Sequence, residues 1–575
     1  MAAAILHRLG ILYGAAPTVP FTGSAMTAPE SCDLLVIGGG INGVAIAREA
    51  ALRGLSVVLV EQDDLAAATS SASSKLAHGG LRYLEQGAFG LVRQSLNERS
   101  ALLAAAPHIV RPLRFVLPHD SDLRPAWRLR LGLLLYDLLS GAPTTLSPFS
   151  RVPPPLPASA GLDLSAAPEG APLKAGLRRA FTYSDAWVED SRLTVLTAMD
   201  AARMGARILT RSRCVSARPD QADPRTWRIT LAANGPGGVS AEVAARGLIN
   251  VAGPWVSQVE QQVIAGGEAL PVRLVRGSHI VVPRLHHGDH AYILQAADRR
   301  IVFVLPYERD FSLIGTTDAP LTSLPDTIEA SGEEIAYLLN VVGRWFRQPP
   351  TRDQVVATFA GIRALADDGR AEARAVTREY ALHLAPSVPP RLSVVGGKLT
   401  THRHLARQAL DRMAPRIGQV RGPVTTLRRS LLSNAVIALR PVATPVLPAR
   451  QTVHALEFDH AAAATLPGGD LPAGGVDDIA ATLRTRVADM PAALADRLAG
   501  TYGTLSLDLT AGCSALADLG PDLGGGMSPV ELRWLRAHEW ARTAEDVLWR
   551  RTRLGLTAPS GTAERITRWF AQQPT

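Results

Sequence analysis

The sequence predicts an α/β fold with a second, β-rich part and a helical C-terminal end. Three observations carry this. The run Asp33–Glu61 reads strand, glycine turn, helix, strand, acid. The stretch from about 265 to 390 is made of short apolar runs, among them VRGSHIVVP, AYILQA, RIVFVLPYE and FSLIGTTD, broken by Gly, Pro and Asp. From about 475 to 575, Leu, Ala and Arg recur with helical spacing, including Ser528 to Trp549.

The first element predicts a strand at Asp33 to Ile37, a helix at about Asn42 to Arg53 and a strand at Ser56 to Val60. Gly38, Gly40 and Gly43 between them have the spacing G-x-G-x-x-G. The first glycine permits the tight turn, the second lets a pyrophosphate approach the backbone, and the third lets helix and strand pack closely. Phosphates then lie over the helix N-terminus, where unpaired N–H groups and the helix dipole favour negative charge. Glu61 ends the second strand, where an acid accepts a hydrogen bond from a ribose hydroxyl. The set predicts a Rossmann-like dinucleotide site, without choosing between NAD and FAD. Thr69 to Tyr83 follows, a span of hydroxyls, paired glycines and basic groups suited to lining a longer part of such a cofactor.

Two later segments read as returns to this layer. Ser191 to Arg203 is helix-like, Ala206 to Leu209 strand-like, and Gly247 to Val251 a short buried strand that runs into Gly253. Leu392 to Val395 is followed by Gly396, Gly397, Lys398, Leu399 and Thr400, again a strand, a glycine pair and a helix N-terminus that together make an anion- or carbonyl-accepting site.

The chain resembles the bacterial FAD-dependent (aerobic, respiratory) glycerol-3-phosphate dehydrogenases. The resemblance rests on VIGGGINGVAIAREAALRGLSVVLVEQDDLAAATSSASSKLAHGGLRYLE, YSDAWVEDSRLTV, VRGSHIVVPR, GIRALADD, VVGGKLTTHRHLA and HEWARTAEDVLWRRTRLGL, in that order. It covers nearly all of residues 31–430 and resumes at about 475. It implies a flavoprotein fold of the glutathione-reductase/D-amino-acid-oxidase type, with an antiparallel β substrate domain and a C-terminal helical cap. The FAD-binding domain is expected at 31–110 with 186–262 and 391–415, the substrate domain at 111–185 with 263–390, a linker or insertion at 416–474 and the cap at 475–575.

The same resemblance implies non-covalent FAD held by Gly38, Gly40, Gly43, Glu61, Thr69, Ser70, Ser73, Ser74, Gly79, Gly80, Leu81, Gly253, Gly397, Leu399 and Thr400. It implies oxidation of glycerol 3-phosphate by hydride transfer from C2, with electrons passing to a membrane quinone or, alternatively, to oxygen. A non-catalytic, redox-sensing flavoprotein is a further alternative. His279 is the expected base, since imidazole titrates near neutrality, with a strand histidine satisfied within the sheet as the alternative, and Arg363 is the group that stabilises alkoxide character. Arg82 and Lys398 are the expected anion clamps, with Tyr83 donating its hydroxyl. One departure is Ala364, where the family pattern has Pro after the arginine. A peripheral enzyme on the cytoplasmic face of the inner membrane, and a homodimer, are implied as well.

Composition agrees with a folded protein: of 575 residues, 47% are hydrophobic and 19% charged. The net charge of +8 is diffuse and favours anionic partners, a phosphorylated substrate or an acidic lipid surface. Nucleic acid is disfavoured, because there is neither a zinc-finger pattern nor a long basic block. Cys32, Cys214 and Cys513 are scattered, with no disulfide framework or metal spacing, which fits a reducing compartment. His286, His287 and His290 read as a solvated turn.

No apolar run reaches the length of about 18 residues that spans a bilayer. Pro125 to Leu139 is the nearest candidate for a membrane contact. Trp127, Leu131, Leu134, Leu135 and Leu138 share one helical face, with Arg124, Arg128 and Arg130 at its basic end. The alternative is a helix buried against its own domain. Residues 1–30 read as an N-terminal extension, expected to be poorly ordered, and about 430–464 as a Pro- and Ala-rich surface insertion.

Overall fold

The computed structural model describes residues 30–85, 87–120, 125–141, 156–233, 240–298, 300–367, 379–418 and 465–573. The expected N-terminal extension up to 29, the 430–464 insertion and Arg124 lie outside the described residues.

Apolar β-branched runs at the start of the chain build the first sheet. Glu30–Ile37 sits at its centre, parallel to Val57–Val60 on one side and to Ser240–Asn250 on the other. Arg207–Leu209 continues the sheet beyond Val57–Val60, and Arg391–Val395 beyond Ser240–Asn250, both parallel. The strand Val57–Val60 is buried on both faces. Ile41–Leu52, Asp190–Arg203 and His402–Met413 cover the Val57 and Leu59 face, with Ala45, Ala47, Ala50 and Ala51 allowing close packing, and the antiparallel strands Ser212–Pro219 and Trp227–Ala233 cover the Val58 and Val60 face. All three expected passes through this layer are therefore present, although the strand expected as a short run at Gly247 to Val251 begins at Ser240, because its first half pairs with Trp227–Ala233.

The second sheet is antiparallel over most of its width. Val272–Pro283 pairs with Phe311–Gly315, Ala319–Leu321 and Ala357–Ala366, and Ile301–Tyr307 pairs with Phe311–Gly315 and Ala291–Gln295. Val110–His119 joins in parallel to Ala291–Gln295, and Arg179–Val188 extends the sheet. The two-residue strand Leu76–Ala77 pairs with Ala186 and Trp187, so the loop leaving the first sheet feeds directly into the second.

The C-terminal part is helical: Gly475–Arg486, Ala492–Tyr502, Leu505–Leu509, Pro529–His538 and Thr562–Ala571. Ser528 caps the fourth of these by accepting from Glu531 N–H, with Pro529 in the first turn. The helix expected from Ser528 to Trp549 is interrupted after His538. Trp540 takes a positive φ of 58°, Arg551 donates to the Glu539 carbonyl at 2.6 Å, and a π-helical turn resumes at Asp546–Arg551. Buried charge decides the break, which helical periodicity does not register. The packed cap also begins ahead of 475: Leu466 is buried and its N–H donates to Ala105 O at 2.8 Å.

No described helix is long and apolar enough to cross a membrane. Ala126–Ser140 forms as expected, with Pro125 at its start and Gly141 closing it at φ 71°. It buries Leu133, Tyr136 and Asp137 and turns the predicted apolar face outward: Trp127 is 67% exposed, Leu131 59% and Leu138 38%. Leu134 and Leu135 of the same face are half-buried. Arg130 is not free on this surface, because it donates to Ser159 Oγ at 2.8 Å and to Ser159 O at 3.1 Å. The His286 loop also differs from the solvated turn expected. His286 is 6% exposed and stacks on His290 with centroids 4.6 Å apart, since Tyr292 and Phe346 beneath them extend the apolar core.

Candidate active site

The glycine turn is fixed by contacts that leave no room for side chains. A Cβ on Gly43 would lie 1.9 Å from Gly38 O, and one on Gly38 would lie 2.6 Å from Val251 O. Gly40 differs: its nearest neighbour would be Ser70 Oγ at 3.1 Å, and it lines a cavity. Ser70 Oγ accepts from Ile41 N–H at 2.9 Å and ties the loop to the helix start. Glu61 braces the turn by accepting from Gly39 N–H at 2.6 Å and Asp63 N–H at 2.9 Å. Burial raises its pKa, which these backbone donors partly offset.

The cavity has a volume of about 700 Å³ and runs between the two sheets. Of the predicted residues, Gly40, Thr69, Ser70, Ser73, Ser74, Gly80, Leu81, Tyr83, Gly253, Arg363, Gly397, Lys398, Leu399 and Thr400 line it. Gly38, Gly43, Glu61 and Gly79 stand behind the wall and shape it. Arg82 lies on the helix Leu81–Glu85, its side chain outside the described residues. His279 is fully buried and is absent from the lining.

Arg363 projects from Ala357–Ala366, where Ala364 pairs with Leu274 as an ordinary strand residue. Its guanidinium donates to Asp318 at 2.8 Å and to Thr316 Oγ1 at 3.2 Å while remaining 25% exposed toward the cavity. Lys398 Nζ stands 3.8 Å from the centre of the Tyr83 ring, a cation–π contact. Thr69 Oγ1 donates to Ile362 O at 2.8 Å, joining the hydroxyl-rich loop to the strand that carries Arg363.

Two further residues belong to the site without having been read from the sequence. Asn42 Nδ2 donates to Gly396 O at 3.2 Å, so the first and last passes are bridged across the cavity, and its buried Oδ1 has no hydrogen-bond partner among the described residues. Asparagine one residue before the third motif glycine was the available signal. Tyr136 accepts from Gly79 N–H at 2.9 Å and donates to Asp185 at 2.7 Å, and Asp185 in turn accepts from Arg99 at 2.8 Å. No local pattern announces that contact.

The cavity continues past the glycine segments. Leu84, Phe89, Leu117 and Phe303 form an apolar extension that reaches Trp127 and Leu131 on the outward face of Ala126–Ser140.

Comparison with known proteins accounts for this arrangement. The family described as FAD dependent oxidoreductase matches residues 33–403, and the C-terminal domain of alpha-glycerophosphate oxidase matches 461–573. A glycerol-3-phosphate dehydrogenase of Pseudomonas aeruginosa is 46% identical over 529 residues, 92% of each chain. The chain belongs to the FAD-dependent glycerol-3-phosphate dehydrogenase family. Within that family's reach is also a D-erythritol 1-phosphate dehydrogenase of Brucella abortus, 42% identical over 95% of this chain and 99% of its own. The glycerol-3-phosphate dehydrogenase from Bacillus halodurans, solved in complex with FAD, has the same fold, with a TM-score of 0.65 and 22% identity over 94% of this chain and 90% of its own.

As a member of this family the protein binds FAD, and the cavity is the candidate site for it. The residues present fit that group: Gly40 leaves the backbone open to a pyrophosphate, Asn42 Oδ1 is an acceptor in want of a donor, and hydroxyls of Thr69, Ser70, Ser73 and Ser74 line the same wall.

Proposed function

We propose that this chain oxidises sn-glycerol 3-phosphate to dihydroxyacetone phosphate and passes the electrons to a membrane quinone. When bound, non-covalent FAD supplies the hydride acceptor, and the protein's task is to bind, orient and deprotonate the alcohol. The observation that carries the reading is the convergence of Arg363, Lys398 and Tyr83 on the same cavity as the flavin-binding segments. Lys398, with Arg82 on the helix after Gly80, clamps the phosphate. Tyr83 orients the substrate, Arg363 holds the reacting oxygen as it gains charge, and His279 takes up the proton. Arg363 is itself held in place by Asp318 and Thr316, so the guanidinium needs little reordering when substrate arrives.

The quinone part of the proposal is supported by the apolar extension that opens at the outward Trp127 and Leu131. A helix face of this kind enters a bilayer interface on the cytoplasmic side and gives a long-tailed acceptor a dry route to the flavin. The likeness to a D-erythritol 1-phosphate dehydrogenase favours a second reading, a four-carbon polyol phosphate as substrate. Oxygen as acceptor is the alternative for the second half-reaction.

Anaerobic mixing decides the first half-reaction. Glycerol 3-phosphate should bleach the flavin, D-erythritol 1-phosphate should do so more slowly, and glycerol barely at all. Faster bleaching by the erythritol ester would transfer the assignment to the longer substrate. Reoxidation of the reduced enzyme by a short-chain quinone against dissolved oxygen then fixes the acceptor.

A further inference from the structure

His279 lies on Val272–Pro283 and is only 1% exposed. Its ring stacks on Phe359, with centroids 4.9 Å apart and planes at 19°. On another side stands Gly315, where a Cβ would come within 2.0 Å of the imidazole Cδ2. The ring is therefore clamped and has no room to swing into the cavity. Its Nδ1 has no hydrogen-bond partner among the described residues, and its Nε2 is 2.8 Å from Ser74 Oγ. Ser74 lines the cavity; His279 does not.

The backbone on both sides of Ser74 is locked. Ser73 donates to Asp190 from its N–H at 3.1 Å and from its hydroxyl at 2.7 Å. Lys75 donates from Nζ to Asp190 at 2.7 Å and from its N–H to Ser73 Oγ at 3.0 Å, and its carbonyl accepts from Val188 N–H at 2.9 Å. Lys75 also has a φ of 55°, a left-handed conformation uncommon for a residue with a long side chain. Within this fixed backbone the Ser74 hydroxyl meets the imidazole while Ser74 lines the cavity.

We propose that Ser74 is the group that touches the substrate alcohol, and that His279 acts through it as the terminal proton acceptor. The inference rests on the reading given under Proposed function. As the C2–H bond breaks and its electron pair leaves for the bound flavin, the substrate O–H bond also breaks and its proton passes to Ser74 Oγ. The former Ser74 proton passes to His279 Nε2, and the C2–O bond becomes a carbonyl. The relay operates in the neutral tautomer that carries its proton on Nδ1. Burial, with Arg363 and Lys75 adding to it, holds the imidazole pKa well below its ordinary value and keeps the ring neutral before substrate arrives.

The test follows anaerobic flavin reduction by glycerol 3-phosphate in four holoenzymes: wild type, Ser74→Ala, Ser74→Thr and His279→Ala, with flavin content per chain measured for each. Ser74→Ala and His279→Ala should each slow reduction, counted per bound flavin, by about 10²–10⁴-fold, the usual range for lost proton transfer. Ser74→Thr keeps the hydroxyl and should restore most of the rate. The double Ala variant should be no slower than either single one, because both remove the same path. The rate in mixed H2O and D2O should bow, as two moving protons require, in wild type and Ser74→Thr.

Ser74→Ala reducing at the wild-type rate, or losses that multiply in the double variant, would overturn the relay. If Ser74→Ala fails to retain flavin, Ser74→Thr and wild type decide: a straight solvent-isotope plot in both overturns the proposal and a bowed one supports it. Wild type that neither phosphorylated alcohol bleaches overturns the substrate reading itself, an outcome separate from a failed relay in an active enzyme.

Discussion

Arg551 engages both carboxylate oxygens of Asp64, each at 2.8 Å, across a gap of 487 residues in the chain. Asp64 stands three residues after Glu61, and Arg550 adds a third hydrogen bond at 2.7 Å. The cap is thus bolted to the loop that leads from the ribose acid to the hydroxyl-rich wall. Both partners are buried, and Arg550 still faces Asp64 when Arg551 is lost, so removing Arg551 costs less than the roughly 3–5 kcal/mol of a buried charge left wholly without a partner. Arg551→Met should lower the unfolding midpoint and reduce flavin retained per chain, whereas Arg309→Met, on the exposed surface, should do neither. Denaturant unfolding and flavin absorbance after gel filtration check both.

Acid should act on the same contact. Burial alone would raise the Asp64 pKa, but Arg551 and Arg550 outweigh it and bring it to about 2. A carboxylate depressed in the folded state contributes stability that is complete above its unfolded pKa and is lost as pH falls through the folded one. From the ordinary 3.8 to about 2, the contribution is about 2 kcal/mol. Asp64→Asn should therefore flatten the wild-type loss of stability across that window, measured by denaturant titration at a series of pH values.

The motif glycines should fail differently. Gly43→Ala drives a methyl into Gly38 O and should cripple folding, visible as low yield and a lowered melting temperature. Gly40→Val projects into the cavity and should give a folded protein that lacks flavin. The wild-type protein should be yellow and release its flavin on denaturation; flavin that stays with the unfolded chain would contradict non-covalent binding.

Loss of the phosphate clamp should appear in flavin reduction. Lys398→Met removes a hydrogen bond to a charged group, worth about 1.5–3 kcal/mol, and should cut the bimolecular reduction rate by about 10- to 100-fold. Reduction by unphosphorylated glycerol should hardly change. An equal loss with both alcohols would place Lys398 away from the phosphate.

The outward face of Ala126–Ser140 gives a membrane prediction. Replacing Trp127 and Leu131 by Glu removes two exposed apolar anchors, each worth about 1.5–3 kcal/mol when buried in lipid. The double variant should leave anionic vesicles in a flotation assay and lose quinone turnover, with anaerobic bleaching intact. Arg128→Glu should weaken vesicle binding in a salt-dependent way. Arg130→Glu should instead lower stability, because Arg130 is committed to Ser159.

The glycine turn, Glu61 and the three passes through the cofactor layer were legible because their signals are local: turn residues, short apolar strands and a fixed spacing. Arg363, Lys398 and Tyr83 were reachable through the family resemblance, and the cavity joins them. A buried strand position for His279 was one of two readings open to the sequence; its contact with Ser74, 205 residues away, and the bare Gly315 beside the ring were not legible. The break after His538 was hidden for the same reason: Glu539 answers to Arg192 and Arg551, and charge pairing between distant segments leaves no periodic trace.

The hydrogen bond from Gly79 N–H to Tyr136 gives one helix two duties, an apolar rim on its outside and a strut against the innermost glycine turn on its inside. A protein engineer who wanted a detergent-free version could repaint the rim with glutamates and keep the strut untouched. Deleting the helix outright would take the strut as well, and the Gly79 amide would lose its anchor. Truncation and recolouring, often treated as interchangeable routes to easier handling, are opposite interventions in this molecule.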